Sequence, residues 1–146
     1  MKKFELTSET KVVFGRTLHR IQALISFGNV EAGDLGGWIE TEDNLAQDGN
    51  AWVYGNAQVC GNARVYGDEK WMVFGPAGSR NDFTTFFACA DGSIGVKCGC
   101  FYGNLDDFAK KVQARHRDND HAKVYKAAIE VAKLRIRVDA KEAAES

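Results

Sequence analysis

A six-residue period between residues 49 and 66 constrains this chain more than any other feature. Gly49-Asn50-Ala51-Trp52-Val53-Tyr54 is followed by Gly55-Asn56-Ala57-Gln58-Val59-Cys60 and then by Gly61-Asn62-Ala63-Arg64-Val65-Tyr66. A decayed unit opens at Gly67-Asp68, and residues 37–42 and 43–48 keep the phase more loosely. Self-similarity at a fixed period marks a chain that coils or stacks upon itself. Ala51, Ala57 and Ala63 each precede Val53, Val59 and Val65 by two residues, so each pair shares one face of a short strand. Gly-Asn at the unit boundary tolerates left-handed backbone angles and suits a tight corner. The phase predicts Ala and Val inside, with Trp52 between them pointing outward.

These hexads resemble the repeat of left-handed parallel β-helices, in which three hexads close one triangular coil. The units present would make about two coils. So short a stack buries little, leaves strand edges open and needs caps at both ends. The string Leu18-His19-Arg20-Ile21-Gln22-Ala23-Leu24-Ile25, then Ala32-Gly33-Asp34-Leu35-Gly36-Gly37-Trp38-Ile39-Glu40 and Asn44-Leu45, resembles small phage and prophage proteins that carry it ahead of GNAxV repeats. That resemblance spans residues 11–67 and implies a fold and a viral setting, the cytoplasm of an infected bacterial host, without an activity. Hexapeptide acyltransferases also resemble the repeat. They need a catalytic base, typically histidine, beside the coil, and residues 29–115 contain none.

The flanks supply the caps. Residues 11–14 and 18–25 alternate as strands around Gly15-Arg16, with His19 a sheet residue. Residues 71–75, 83–90 and 94–101 read as a β-meander with a hairpin turn at Asp91-Gly92. Asn104 is a helix N-cap with Asp106 and Asp107 in the first turn, where their charge opposes the helix dipole. Leu105, Phe108, Ala109 and Val112 form one apolar stripe. Residues 117–120 break that helix, and Tyr125, Ala128, Ile129 and Ala132 mark a second. The expected fold is therefore a β-rich α+β chain, a short left-handed parallel β-helix between N-terminal strands and a C-terminal β-meander with two helices. Strands and repeats occupy residues 1–70, the α+β capping module 71–137, and a solvated tail 138–146. The string Phe74-Gly75-Pro76, Gly78-Ser79-Arg80-Asn81, Thr84-Thr85-Phe86-Phe87, Cys98-Gly99-Cys100-Phe101 and Leu105-Asp106-Asp107-Phe108 resembles a recurrent phage-encoded module that brings no activity with it.

Charge and cysteine usage narrow the function. The net charge of −1 hides eight acidic side chains against Arg64 alone over residues 29–69. That argues against DNA or RNA binding there, because phosphate backbones are held by Lys and Arg. The nine Lys/Arg of residues 105–137 sit at helical spacing as a solvated face. Cys60, Cys89, Cys98 and Cys100 form no disulfide framework, and the Cys98/Cys100 pair is half a metal site. His19, His116 and His121 are too scattered in sequence to complete it, so neither a metal nor another cofactor is expected. No apolar run is long enough to cross a bilayer, and the first residues lack a secretory stretch, so a cytoplasmic protein is expected.

Residues 75–81 offer the best binding loop. Glycine backbone donors, the Ser79 hydroxyl, the Arg80 guanidinium and the Asn81 amide can converge on one anion, with Thr84 and Thr85 following. It lacks the Gly-Lys-Ser/Thr ending of a P-loop. An outward Trp52 would add a subunit contact or a purine-stacking face. No catalytic constellation is legible: Ser79 has no neighbouring base, and Asp106 and Asp107 diverge on a helix. The phage-like resemblance makes the expected function non-enzymatic sequestration of a small anionic, nucleotide-derived host defence signal of cyclic or ADP-ribose type, by a homo-oligomer. The alternatives are a structural or protein-interaction module and, less favoured, an enzyme acting on such a nucleotide.

Arg80→Ala should weaken such an anion ten- to a hundredfold, about 1.5–3 kcal/mol, without changing the melting temperature. Arg80→Lys should rescue only in part, since an ammonium lacks the planar fork. Wild-type affinity in both variants would make the loop an ordinary turn.

Overall fold

Two antiparallel-rich sheets and a helix pair make up the chain. The structure is a computed structural model that describes residues 2–13, 15–55, 57–67, 70–78, 82–98 and 101–136. Strand β1, Phe4–Val13, pairs antiparallel with β2, Arg16–Ala23, and its register slips between Leu6 and Thr10. β3, Leu35–Ile39, lies antiparallel to β2 with Ile39 opposite His19. A 3-10 turn over Glu42–Asn44 follows, and β4, Gln58–Val59, runs parallel to β3. The hexad phase is right about burial: Ala51, Val53, Ala57, Val59, Ala63 and Val65 are each at most 3% exposed.

The expected stack of two left-handed parallel coils does not form. Among the described residues, parallel pairing is confined to Trp38–Ile39 against Gln58–Val59 and to the isolated Leu45–Val65 bridge. Each of these partners is 20 residues apart, two more than three hexads, and residues 51–54 join no ladder. The reason lies in the flanks. Antiparallel β2 takes up the other edge of β3. The late hexads bond the second sheet instead of another coil: Arg64 N–H donates to Ala88 O and Ala90 N–H to Asn62 O, both at 2.9 Å.

Asn44 ties the return of the chain together. Its side-chain oxygen accepts from Glu40 N–H (3.1 Å) and Thr41 N–H (3.0 Å), while its amide donates to Gly61 O and Ala63 O at 3.1 Å each. Its backbone carbonyl accepts from Val65 N–H at 3.0 Å. The side chain is wholly buried.

The second sheet is a meander, β5 Trp71–Ala77, β6 Asp82–Ala88, β7 Ile94–Cys98 and β8 Phe101–Asn104. Asn104 caps α1, Leu105–His116, by accepting from Asp107 N–H at 2.8 Å. Arg117 breaks the helix at φ 53°, and Asn119 caps α2, Asp120–Arg135. The expected stripes are largely buried, Phe108 and Val112 on α1, and Tyr125, Ala128, Ile129 and Ala132 on α2; Ala109 is exposed. Residues 138–146, expected to be a tail, lie outside the described residues.

Asn44→Ala leaves four backbone groups without their partner, so a stability loss of about 2–4 kcal/mol is expected in chemical denaturation. Asn44→Asp should cost more at neutral pH, because a carboxylate would face two carbonyl oxygens. A loss below about 0.5 kcal/mol for both would show that water replaces the amide without penalty.

Candidate functional site

The expected binding residues separate into three groups. Ser79, Arg80 and Asn81 lie outside the described residues. The stem before them is held from below: Tyr125 O–H donates to Ala77 O at 3.4 Å, and Gly78 adopts φ +83° where a Cβ would strike the Tyr125 hydroxyl. Thr84 and Thr85 are at most 2% exposed. Thr84 Oγ1 donates to Cys98 Sγ at 3.0 Å, and Thr85 Oγ1 accepts from Gln58 N–H at 2.9 Å. The Thr84 hydroxyl therefore fastens β6 to β7, and the Thr85 hydroxyl ties the second sheet to β4 of the first.

Trp52 corrects the sequence expectation. It is 4% exposed and packs edge-on to Phe4 and Phe27, with ring centres at 6.4 and 5.3 Å. Residues 51–53 join no ladder, so strand alternation does not apply and three consecutive side chains turn inward. The outward aromatics of the repeat are Tyr54 and Tyr66, 57% and 51% exposed.

Tyr54 borders a cleft formed by the described residues. A cavity of about 280 Å³ is lined by Tyr54, Trp71, Met72, Val73 and Arg135. The repeat supplies Tyr54, the first residues of β5 supply the floor, and the last turn of α2 supplies Arg135. Tyr54 meets Trp71 edge to face, centres 5.1 Å apart at 82°. Trp71 is 7% exposed, and its indole Nε1 is the buried side-chain donor that finds no partner among the described residues. Such a group normally has an acceptor. Aromatic surface beside one guanidinium suits a planar ring bearing an anionic group.

Among the described residues, the lining contains no carboxylate, imidazole or thiol. Elsewhere some reactive groups are tied into the fold. Glu40 accepts from Arg16 and from Gly61 N–H, both at 2.8 Å, and the Arg16 guanidinium lies 4.2 Å from the Tyr102 ring centre. The His116 and His121 rings lie tilted with centres 5.1 Å apart where α1 gives way to α2, and desolvation, then the neighbouring His121, lowers the His116 pKa. No three His, Cys, Asp or Glu side chains gather as metal ligands among the described residues, and none of the described helices is long and apolar enough to cross a membrane. Sequence reasoning missed Arg135 because it read as part of a solvated basic face. Tyr54 carried a signal, since it follows inward Val53 and closes its unit as exposed Tyr66 does, although Cys60 at the same position of the middle unit is buried.

No family model matches the chain. An uncharacterized acetyltransferase of Escherichia coli (strain K12), YdcK, is 37% identical over 62 residues, covering 37% of this chain and 19% of that protein. The chain thus spans about a fifth of that relative's length. This weak similarity points toward a hexapeptide-repeat-type relationship and shows neither a phage origin nor the C-terminal module.

Burial pushes the Cys60 thiol up from its ordinary 9.0 to about 12. The folded state holds that proton more tightly, so the contribution is complete below about pH 9 and lost as pH rises toward 12. Stability should fall with a limiting slope of about 1.4 kcal/mol per pH unit for this group. Urea titrations under reductant at pH 9–11 should show a shallower fall for Cys60→Ala. An unchanged slope would mean that burial of this thiol does not govern it.

Proposed function

We propose that the protein is a non-enzymatic binding protein that retains a small planar anion in the cleft between the repeat, β5 and the end of α2. The observation that carries this reading is the placement of Arg135 with Tyr54 and Trp71 around one cavity of about 280 Å³. A ring packs against Tyr54, and the anionic group takes a charge-assisted bond from the Arg135 guanidinium, whose five donors serve more than one acceptor. An acceptor reaching Trp71 Nε1 would remove the cost of its unmade hydrogen bond, on the order of 1–3 kcal/mol. The phage-like strings make the proposed ligand a nucleotide-derived defence signal of cyclic or ADP-ribose type, sequestered in the cytoplasm of an infected bacterium.

Acetyl transfer is the reading suggested by the name of the Escherichia coli relative. Deprotonating an acceptor needs a base within reach, and among the described residues none of the five lining side chains is one. Retention without turnover therefore fits the cleft better.

The test is incubation of the full chain with cyclic and ADP-ribose-type nucleotides, removal of excess and release by heat. Intact nucleotide is expected. Altered nucleotide would make the protein an enzyme, and no retention would favour an interaction module. Arg135→Gln should weaken a retained nucleotide about ten- to a hundredfold, and Tyr54→Ala should cost about 1–3 kcal/mol of stacking. Wild-type affinity in both variants would remove the cleft as the site.

A further inference from the structure

Helix α2 carries two apolar stripes. One, with Tyr125, Ala128, Ile129 and Ala132, is buried against the second sheet and α1. The other faces outward: Val124 is 41%, Val131 51% and Leu134 88% exposed, with Ala127 exposed between them. Spacings of three, four and three residues are those of a helix–helix seam. Leu134 in particular is an almost fully solvated large apolar side chain. We propose that this stripe is the contact of a symmetric dimer, in which α2 of a second copy lies antiparallel across it.

Charge and size select that occupant. Lys123 and Glu130 border the same edge of the stripe, and Ala127 lies between them, four residues from one and three from the other. With the two-fold axis near Ala127, Val124 lies within one residue, about 1.5 Å along the axis, of level with the second copy's Val131, and Lys123 likewise with the second copy's Glu130. Both contacts occur twice, as an isologous interface requires. The small Ala127 lets the helices approach at the axis. Asp120 in the first turn of one helix lies near the basic last turn of the other, which holds Lys133 and Arg135. Antiparallel helices also oppose their dipoles. Glu130 pairs with Lys133 at 3.2 Å within its own helix, with both side chains solvent-exposed, so its carboxylate stays at the surface. One helix pair buries less than the roughly 1,200–2,000 Å² of a standard interface, so the dimer is expected to be weak, with Kd on the order of 10 µM.

Sedimentation equilibrium of the full chain over roughly 1–100 µM should show reversible monomer–dimer exchange. Val131→Glu and Leu134→Glu should each raise Kd at least about tenfold without lowering the melting temperature, since both positions are exposed. Lys123→Glu alone should weaken the dimer by setting like charges opposite, and Lys123→Glu with Glu130→Lys should restore it. A monomer throughout the range overturns the proposal, including the case in which residues 137–146 of the same chain cover the stripe. So does a dimer that neither glutamate variant weakens. Failure of the charge exchange to restore association overturns the antiparallel register.

Discussion

Much of the first half of this chain depends on the carboxamide of Asn44. Its neighbourhood has very little sheet: β4 is two residues long and residues 51–54 join no ladder. Buried backbone groups must still find partners, and a side chain with both donors and acceptors supplies four of those bonds at once. An aspartate offers no donors there, and a glutamine is one methylene too long for a site fixed from both sides. Lys3 plays a similar part at the opposite end. Its ammonium donates to the carbonyls of Asp48, Gly49 and Ala51 and lies 4.8 Å from the Phe27 ring centre. Burial lowers its pKa despite the opposing pull of Asp48. Gln47 completes the seam by accepting from Lys3 N–H at 2.7 Å and Phe4 N–H at 3.2 Å.

The second sheet is shared between two cores because strand residues alternate faces. Phe87 joins Trp71 in the core of the repeat, whereas Phe86 and Ala88 face α1 and α2. This sheet therefore covers the repeat that is too short to cover itself, and presents its other face to the helices. At Gly61 the junction is tight: the backbone sits at φ +60°, and a Cβ would collide with Tyr102. The proposed cleft opens where repeat, sheet and the end of α2 come together, so its shape depends on the docking of all three.

Local features are legible in the sequence alone. The Ala and Val phase of the hexads, the Asn104 cap, the turn before β2 and the buried stripe of α2 follow from periodicity and capping chemistry. Pairing partners were not readable. A period of two or six says which face of a strand is buried, but hexads paired to antiparallel neighbours bury the same residues as hexads stacked in a coil. That is why inward Val59 was legible while the β-helix expectation failed. Trp52 failed differently, because alternation holds only where a ladder imposes it.

The sequence by itself determined which side chains leave water and where helices begin, since burial and capping depend on residues within a few positions of one another. Tertiary structure decided what each buried face meets. It turned Thr84 and Thr85 into sheet fastenings and brought Arg135, 81 positions away in the chain, to the side of Tyr54. The physical reason is that local periodicity fixes an orientation, whereas a partner is chosen by the packing of surfaces and by backbone groups that must all be satisfied together.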